Sequence, residues 1–311
     1  MPRSPAGTKY SQIDDGFRPS TERYIFTVTA GRSGQASLTR LLTAHVADCY
    51  AAFEEPRAKV RLRGYPGDLE RRFRRRFIET HELLGRGRVL AAYQSGDAAY
   101  LDRIVARRLK MIERLDVSIY VDVSKYFARG LHDAFARAVG DFGLIRLVRD
   151  PVLNMRSFLN RNKSFRLDNS APDAPNNEIC LDPDGFEPGE FYLWAWSEMY
   201  LRFERLVETY KVRRAVEIRT DELNDATRMA HHFGALGLDH TPLTVMPPEN
   251  TNRMQGHGET LVTQADIQTF KRFMNRLPST AIDRIGYLRG YDPPGVECAE
   301  PHVIGSYGEQ Q

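Results

Sequence analysis

Short β-branched and aromatic runs alternate along this chain with longer stretches whose apolar residues recur at helical spacing. Tyr24 to Thr29 (YIFTVT) predicts a buried strand bounded by Ala30-Gly31, and Leu38, Leu41, Leu42 and Val46 predict a helix over 37–46. Cys49 to Phe53 and Ser118 to Val123 (SIYVDV) predict two further strands, the second after a basic helical stretch from about Tyr100 to Leu115. Gly143 to Val148 (GLIRLV) predicts another strand, and Arg149-Asp150-Pro151 then opens a helix over 152–160. Beyond it come an aromatic amphipathic helix from Phe191 to Tyr210, a strand at 215–219, and helices over 221–236 and 264–277. Strands alternating with helices give an α/β fold whose mostly parallel sheet is flanked by helices.

The interruptions set the organisation. Residues 1–22 are polar and rich in Ser, Pro and Gly, which reads as a flexible lead-in to one domain over 23–292, followed by a tail over 293–311. Within that domain, 162–189 is crowded with Pro, Asn and Asp, the composition of a lid or binding loop. A chain of 311 residues with 41% hydrophobic and 27% charged residues can bury one large core. No run approaches the roughly 18 to 20 apolar residues of a membrane span, and the N-terminus lacks the apolar core of a secretory signal. A cytoplasmic protein without stable membrane insertion is therefore expected. Cys49, Cys180 and Cys298 are too far apart to suggest a disulfide framework or a zinc site, and buried free thiols are expected instead. A net charge of +3 argues against a dedicated nucleic-acid binder. Nine Lys or Arg between Arg57 and Arg76 nonetheless make a dense positive block, read either as a solvated helix face or as an attractor of an anionic partner.

Two segments carry candidate chemistry. Gly31-Arg32-Ser33-Gly34-Gln35-Ala36-Ser37 lies where a strand turns into a helix, the place where backbone N–H groups wrap a phosphate at the positive end of a helix dipole. Such a turn also serves as a plain connection. The GK[ST] of ATP- and GTP-hydrolysing P-loops is missing, and with it the lysine for the terminal phosphates, although Ser33 or Ser37 could be pressed into the role of the magnesium hydroxyl. Arg149, at the end of a predicted strand, offers a planar fork to a phosphate, and Ser157, about two helical turns on, offers a hydroxyl to the same anion. A strand-end ion pair between Arg149 and Asp150 is the plainer alternative.

GRSGQASLTRLL and LIRLVRDPVLNMRSFLNR together resemble the sulfotransferases that use 3′-phosphoadenosine 5′-phosphosulfate (PAPS), over roughly Tyr24 to Tyr291. The resemblance implies that Arg32, Ser33 and Gly34, with the neighbouring Gly31, Gln35, Ala36 and Ser37, hold the 5′-phosphosulfate, and that Arg149 and Ser157 hold the 3′-phosphate. Where the family usually has two Thr this chain has Gln35 and Ala36, so two hydroxyl ligands are absent and Ser37 or backbone amides must substitute. Ala52-Phe53-Glu54-Glu55-Pro56-Arg57 is similar to the segment that carries a glutamate base in tyrosylprotein and bacterial carbohydrate members, which selects Glu55 as base and Arg57 as its neighbouring cation. A solvated turn with a local ion pair is the bland reading of that segment. Lys125 would steady the leaving phosphate or the sulfuryl oxygens, and Arg253, in a Gly-flanked loop, weakly resembles the family's C-terminal phosphate contact. His45, His81 and His257 are rival bases, though none ends a predicted strand.

The resulting expectation is a metal-free sulfotransferase that moves a sulfuryl group from PAPS to a hydroxyl or amine of a small-molecule, glycan or peptide acceptor, leaving the bisphosphate product PAP. A P-loop-like nucleotide kinase or NTPase, or a non-catalytic nucleotide-binding module, is the alternative. A homodimer is compatible with the sequence.

Overall fold

The computed structural model describes residues 21–53, 86–160, 177–244 and 261–295. Along the chain these form β1 (Arg23–Val28), α1 (Gln35–His45), β2 (Cys49–Phe53), α2 (Arg86–Ser95), α3 (Ala98–Glu113), β3 (Ile119–Val123), α4 (His132–Val139), β4 (Gly143–Val148) and α5 (Pro151–Leu159). After the segment at 177–187 come α6 (Pro188–Tyr210), β5 (Arg214–Arg219), α7 (Ala226–Ala235), α8 (Gln264–Arg276) and α9 (Ser279–Arg284). Short 3₁₀ turns cover Phe127–Arg129, Thr220–Asn224 and Gly286–Leu288.

The five strands form one sheet in the order β2-β3-β1-β4-β5, with every pairing parallel. Parallel order follows from the helical crossovers, and it requires both faces to be covered, which is why β1 is buried along nearly its whole length. On one face Tyr24, Phe26 and Tyr120 pack against α3, α4 and the 127–129 turn, where the Phe127 ring stacks on Phe26 at 4.2 Å. On the other, Ile25, Val121, Val123, Ile145 and Leu147 meet Leu38, Leu41 and Leu42 of α1 and Phe233 of α7. Trp194, Trp196 and Tyr200 of α6 build a third cluster with Val152 and Met155 of α5 and Phe270 and Phe273 of α8.

The expected α/β class and all five strands are present. Boundaries differ where local chemistry overrides periodicity. The helix expected at 37–46 begins at Gln35, directly after Gly34 in the left-handed region. The aromatic helix starts at Pro188 rather than Phe191, so the irregular segment ends two residues before the expected 189, with Pro188 in the first turn. The helix expected over 221–236 is divided because Asp225 caps α7, its carboxylate accepting from the N–H groups of Thr227 and Arg228 at 3.0 Å. Cys180 is exposed and Cys49 half-buried, so the expectation of buried thiols fails at Cys180; burial pushes the Cys49 thiol up to about 12. Among the described residues no helix is long and apolar enough to cross a membrane.

One fully buried ion pair joins three parts of the fold. On α6, Arg202 Nη2 meets Glu198 Oε1 at 2.6 Å, with neither side chain exposed to solvent. Glu198 Oε2 accepts from the N–H groups of Glu178 and Ile179 at 2.9 and 3.1 Å, while Arg202 donates to the Ala128 carbonyl at 2.9 Å and to Asn177 Oδ1 at 2.6 Å. These additional bonds satisfy groups that would otherwise be buried charges without partners. Replacing one partner, in Arg202→Met, is expected to destabilise the protein by about 3 to 5 kcal/mol, whereas Glu198→Gln/Arg202→Met should recover part of that loss. Urea unfolding curves of the single and double variants measure both effects.

Candidate anion-binding site

The site grows from the turn between β1 and α1. Gly31, Arg32 and Gly34 have φ of 94°, 62° and 84°, so three of four consecutive residues lie in the left-handed region. Such a turn lets successive backbone amides face one concavity, which suits an anion. Arg32 is the non-glycine member and carries a conformational cost of about 1 to 2 kcal/mol. At Gly34 only glycine fits, because a Cβ would fall 2.4 Å from Leu223 Cδ1 and 3.3 Å from Thr220 Cγ2.

Buried hydrogen bonds fix the turn. The Gly31 N–H donates to Thr29 Oγ1 at 3.1 Å, and the Ser33 hydroxyl donates to the Gly31 carbonyl at 3.2 Å. Asn154 Nδ2 donates to Ser33 Oγ at 3.1 Å, and Thr220 Oγ1 lies 3.0 Å from the Ser33 carbonyl and 3.1 Å from that of Val148. From α6, the Tyr192 hydroxyl is 2.9 Å from both the Gly31 carbonyl and Asn154 Oδ1; its single proton serves one acceptor at a time. Burial raises the Tyr192 pKa, against the opposing charges of Arg32, Arg149 and Arg129, so the phenol is a neutral donor.

α1 opens without a side-chain cap. By contrast, Asp97 caps α3 and Asp150 caps α5. The first turn of α1 lies at the end of the helix where the dipole favours negative charge. Gln35, the first residue of α1, is 6% exposed, and among the described residues its Nε2 is a buried donor with no hydrogen-bond partner. A donor so placed fits an anion in the turn and offsets the Thr hydroxyls that Gln35 and Ala36 replace.

The second motif meets the first. Arg32 Nε reaches Ser157 Oγ at 3.4 Å, and Arg149 Nη1 reaches the Arg32 carbonyl at 3.4 Å. Trp196 Nε1 holds the Arg149 carbonyl at 3.0 Å. Asp150 is occupied elsewhere: Oδ1 accepts the Leu153 N–H at 2.8 Å and Oδ2 the Tyr291 hydroxyl at 2.7 Å. Its carboxylate caps α5 rather than bridging to Arg149, on which it acts only through space. Burial lowers the Arg149 pKa, but a guanidinium remains protonated at neutral pH. Lys125, just past β3, brings its Cδ to 3.9 Å from the point where a Gly31 Cβ would stand.

Of the residues expected to act together, the structure thus gathers Gly31, Arg32, Ser33, Gly34, Gln35, Lys125, Arg149 and Ser157, with Ala36 and Ser37 following in the first turn of α1. Glu55, Arg57 and Arg253 lie outside the described residues, as do His81 and His257. His45 ends α1, about 15 Å along the helix from its start, with Nδ1 3.1 Å from Thr241 Oγ1, a place remote from the turn. Tyr192, Asn154, Thr220, Trp196 and Arg129 escaped notice in the sequence. Asn154 had a faint signal, lying one turn before Ser157 on the same face of α5; the others come from distant segments without local pattern.

Gly34→Ala is expected to lower stability by about 2 to 5 kcal/mol, combining the left-handed penalty with overpacking against Leu223. If that overlap is the cause, Gly34→Ala/Leu223→Ala should be less destabilised than the sum of its single variants by at least about 1 kcal/mol, as denaturant titration of the cycle would reveal.

No family model matches this chain, and no curated protein matches it. Among solved structures, it is similar to a sulfotransferase from Alicyclobacillus acidocaldarius, at 16% identity and a TM-score of 0.44, covering 89% of this chain and 97% of that one. It is similar also to the sulfotransferase domain from the Synechococcus PCC 7002 olefin synthase, at 16% identity and a TM-score of 0.42, covering 87% of this chain and all of that domain.

Proposed function

We propose that this chain is a sulfotransferase that uses PAPS as donor. The observation that carries the reading is the contact between two anion motifs more than a hundred residues apart: Arg32 Nε to Ser157 Oγ at 3.4 Å, and Arg149 Nη1 to the Arg32 carbonyl at 3.4 Å. A donor with a phosphosulfate at one end and a 3′-phosphate at the other needs two such cation and hydroxyl sets side by side. In this reading the turn from Gly31 to Ser37 holds the phosphosulfate through backbone amides, Arg32 and the Gln35 side-chain amide, while Arg149 and Ser157 hold the 3′-phosphate. A single phosphate would leave one set unused.

PAPS supplies the sulfuryl group: its sulfur–oxygen bond to the 5′-phosphate breaks as a bond to the acceptor oxygen or nitrogen forms. Glu55 is proposed to take the proton that the acceptor loses. Phe53, two residues before it, pairs with Val123, two residues before Lys125, which supports a common strand edge for base and cation. Lys125 and Arg57 offset the charge that develops on the transferred group and the leaving phosphate, and Arg253 is a further proposed phosphate contact. The remaining work of the chain is positioning and the exclusion of water. An extended or anionic glycan or peptide acceptor would suit the basic block at 57–76, and a small hydroxylated metabolite remains compatible with the site.

Calorimetric titration with adenosine 3′,5′-bisphosphate (PAP), ATP with magnesium, and 5′-AMP tests the reading. The bisphosphate should bind in the micromolar range and much more tightly than 5′-AMP, and Arg149→Ala should weaken it about tenfold to hundredfold. Glu55→Gln should bind it as the natural chain does while losing transfer. Tight binding of magnesium ATP without preference for the 3′-phosphate would overturn the reading in favour of phosphoryl transfer.

A further inference from the structure

We infer that Tyr192 is a positioning residue of the donor site, its hydroxyl acting with that of Ser33 to keep the Gly31 carbonyl turned away from the place of the 5′-anion; this rests on the PAPS reading above. A carbonyl oxygen carries negative partial charge, and glycine lets the peptide that follows it rotate at little cost. One such rotation at Gly31 would put an oxygen into the concavity where an anion needs N–H groups. The local backbone does not prevent it: Gly31 at φ 94° is followed by Arg32 at 62°, a left-handed conformation that is costly for a residue with a Cβ. The turn must therefore be held by its surroundings.

Two hydroxyls reach that carbonyl. Tyr192 stands 2.9 Å from the Gly31 oxygen, and Ser33 donates to the same atom at 3.2 Å. A carbonyl oxygen has two lone pairs, so it can receive both. In a trans peptide the N–H points opposite to the carbonyl, and pinning the oxygen therefore fixes the whole unit. Packing delivers Tyr192 to this depth. Gly189, one turn earlier on α6, permits a close approach to α5 and α8, since a Cβ there would stand 2.8 Å from Thr269 Cγ2 and 2.9 Å from Met155 Sδ. The Phe158 ring of α5 then stacks on the Tyr192 ring at 4.8 Å.

Asn154 braces both hydroxyls. It is fully buried, its Oδ1 lies 2.9 Å from the Tyr192 hydroxyl, and its Nδ2 donates to Ser33 Oγ at 3.1 Å. Ser33, Tyr192 and Asn154 thus close a ring of hydrogen bonds around one carbonyl, and a buried oxygen deprived of one of its donors carries a desolvation cost. The bonds of Tyr192 at 2.9 Å run to Gly31 and to Asn154, whereas the 3′-phosphate is assigned to Arg149 and Ser157. Removal of the hydroxyl should therefore be felt at the 5′ end of the donor.

Each phosphate of bound PAP gives its own phosphorus resonance, which separates this role from a general one in folding. PAP would be titrated calorimetrically into the full chain, into Tyr192→Phe and into Arg149→Ala, and the phosphorus NMR spectrum of each saturated complex recorded. Tyr192→Phe should weaken PAP about fivefold to thirtyfold and displace the 5′ resonance while the 3′ resonance stays in place. Arg149→Ala should displace the 3′ resonance instead. An unchanged affinity in Tyr192→Phe, or any displacement other than that of the 5′ resonance alone, would overturn the inference. If Tyr192→Phe does not fold, Tyr192→3-fluorotyrosine, which keeps the ring and makes the hydroxyl a stronger donor, decides by the same spectrum: displacement of the 5′ resonance alone supports the role, and any other pattern overturns it. Failure of the natural chain to bind PAP would instead overturn the PAPS reading itself, and this inference with it.

Discussion

The parallel pairing of β1 with β3 on one side and β4 on the other is the constraint from which the site follows. Parallel strands end together, so the turns that leave β1, β3 and β4 emerge at one edge, and strand order places the glycine turn between the other two. Arg149 from β4 and Lys125 from β3 thereby arrive beside Gly31 without any long excursion of the chain. An antiparallel β1 would send the glycine turn to the opposite end of the sheet, where neither cation could reach it.

Gathering cations at one place has a cost that the rest of the fold must balance. Guanidinium groups gathered in a partly buried place repel one another, and three arginines act on one hydroxyl here. Left-handed Arg32 adds strain. Offsetting these are the neutral hydrogen bonds among Ser33, Asn154, Tyr192 and Thr220, which draw on the turn, α5, α6 and the segment after β5. None of those four residues carries charge, so they hold the turn while leaving its positive potential for an anion. The Glu198–Arg202 pair plays a corresponding part farther from the turn, joining α6 to 177–179 and to the 127–129 turn.

Strands were legible in the sequence because each is a short apolar run bounded by a turn signal, and burial on both faces enforces such runs. Arg32, Arg149 and Ser157 were legible because their spacing within a local motif already encodes a strand followed by a helix. Tyr192 was not: in FYLWAW it differs in no local respect from the core aromatics Trp194 and Trp196, and its role arises only because α6 crosses the glycine turn. The helix expected over 221–236 failed for a different reason, since periodicity does not register a capping Asp225 placed within an otherwise continuous pattern.

The bond from the Tyr291 hydroxyl to Asp150 has a consequence for the order in which the site is made. Asp150 caps the helix that carries Ser157, and its second oxygen is held by a residue near the end of the described chain. At about 5 to 20 residues per second, a ribosome reaches that tyrosine tens of seconds after the glycine turn has been synthesised. The nascent chain can thus form its central strands early, but the anchor of its second anion motif arrives 141 residues after Asp150 itself. A translation product cut short before Tyr291 would carry both motifs in its sequence and lack the bond that holds the cap of the second.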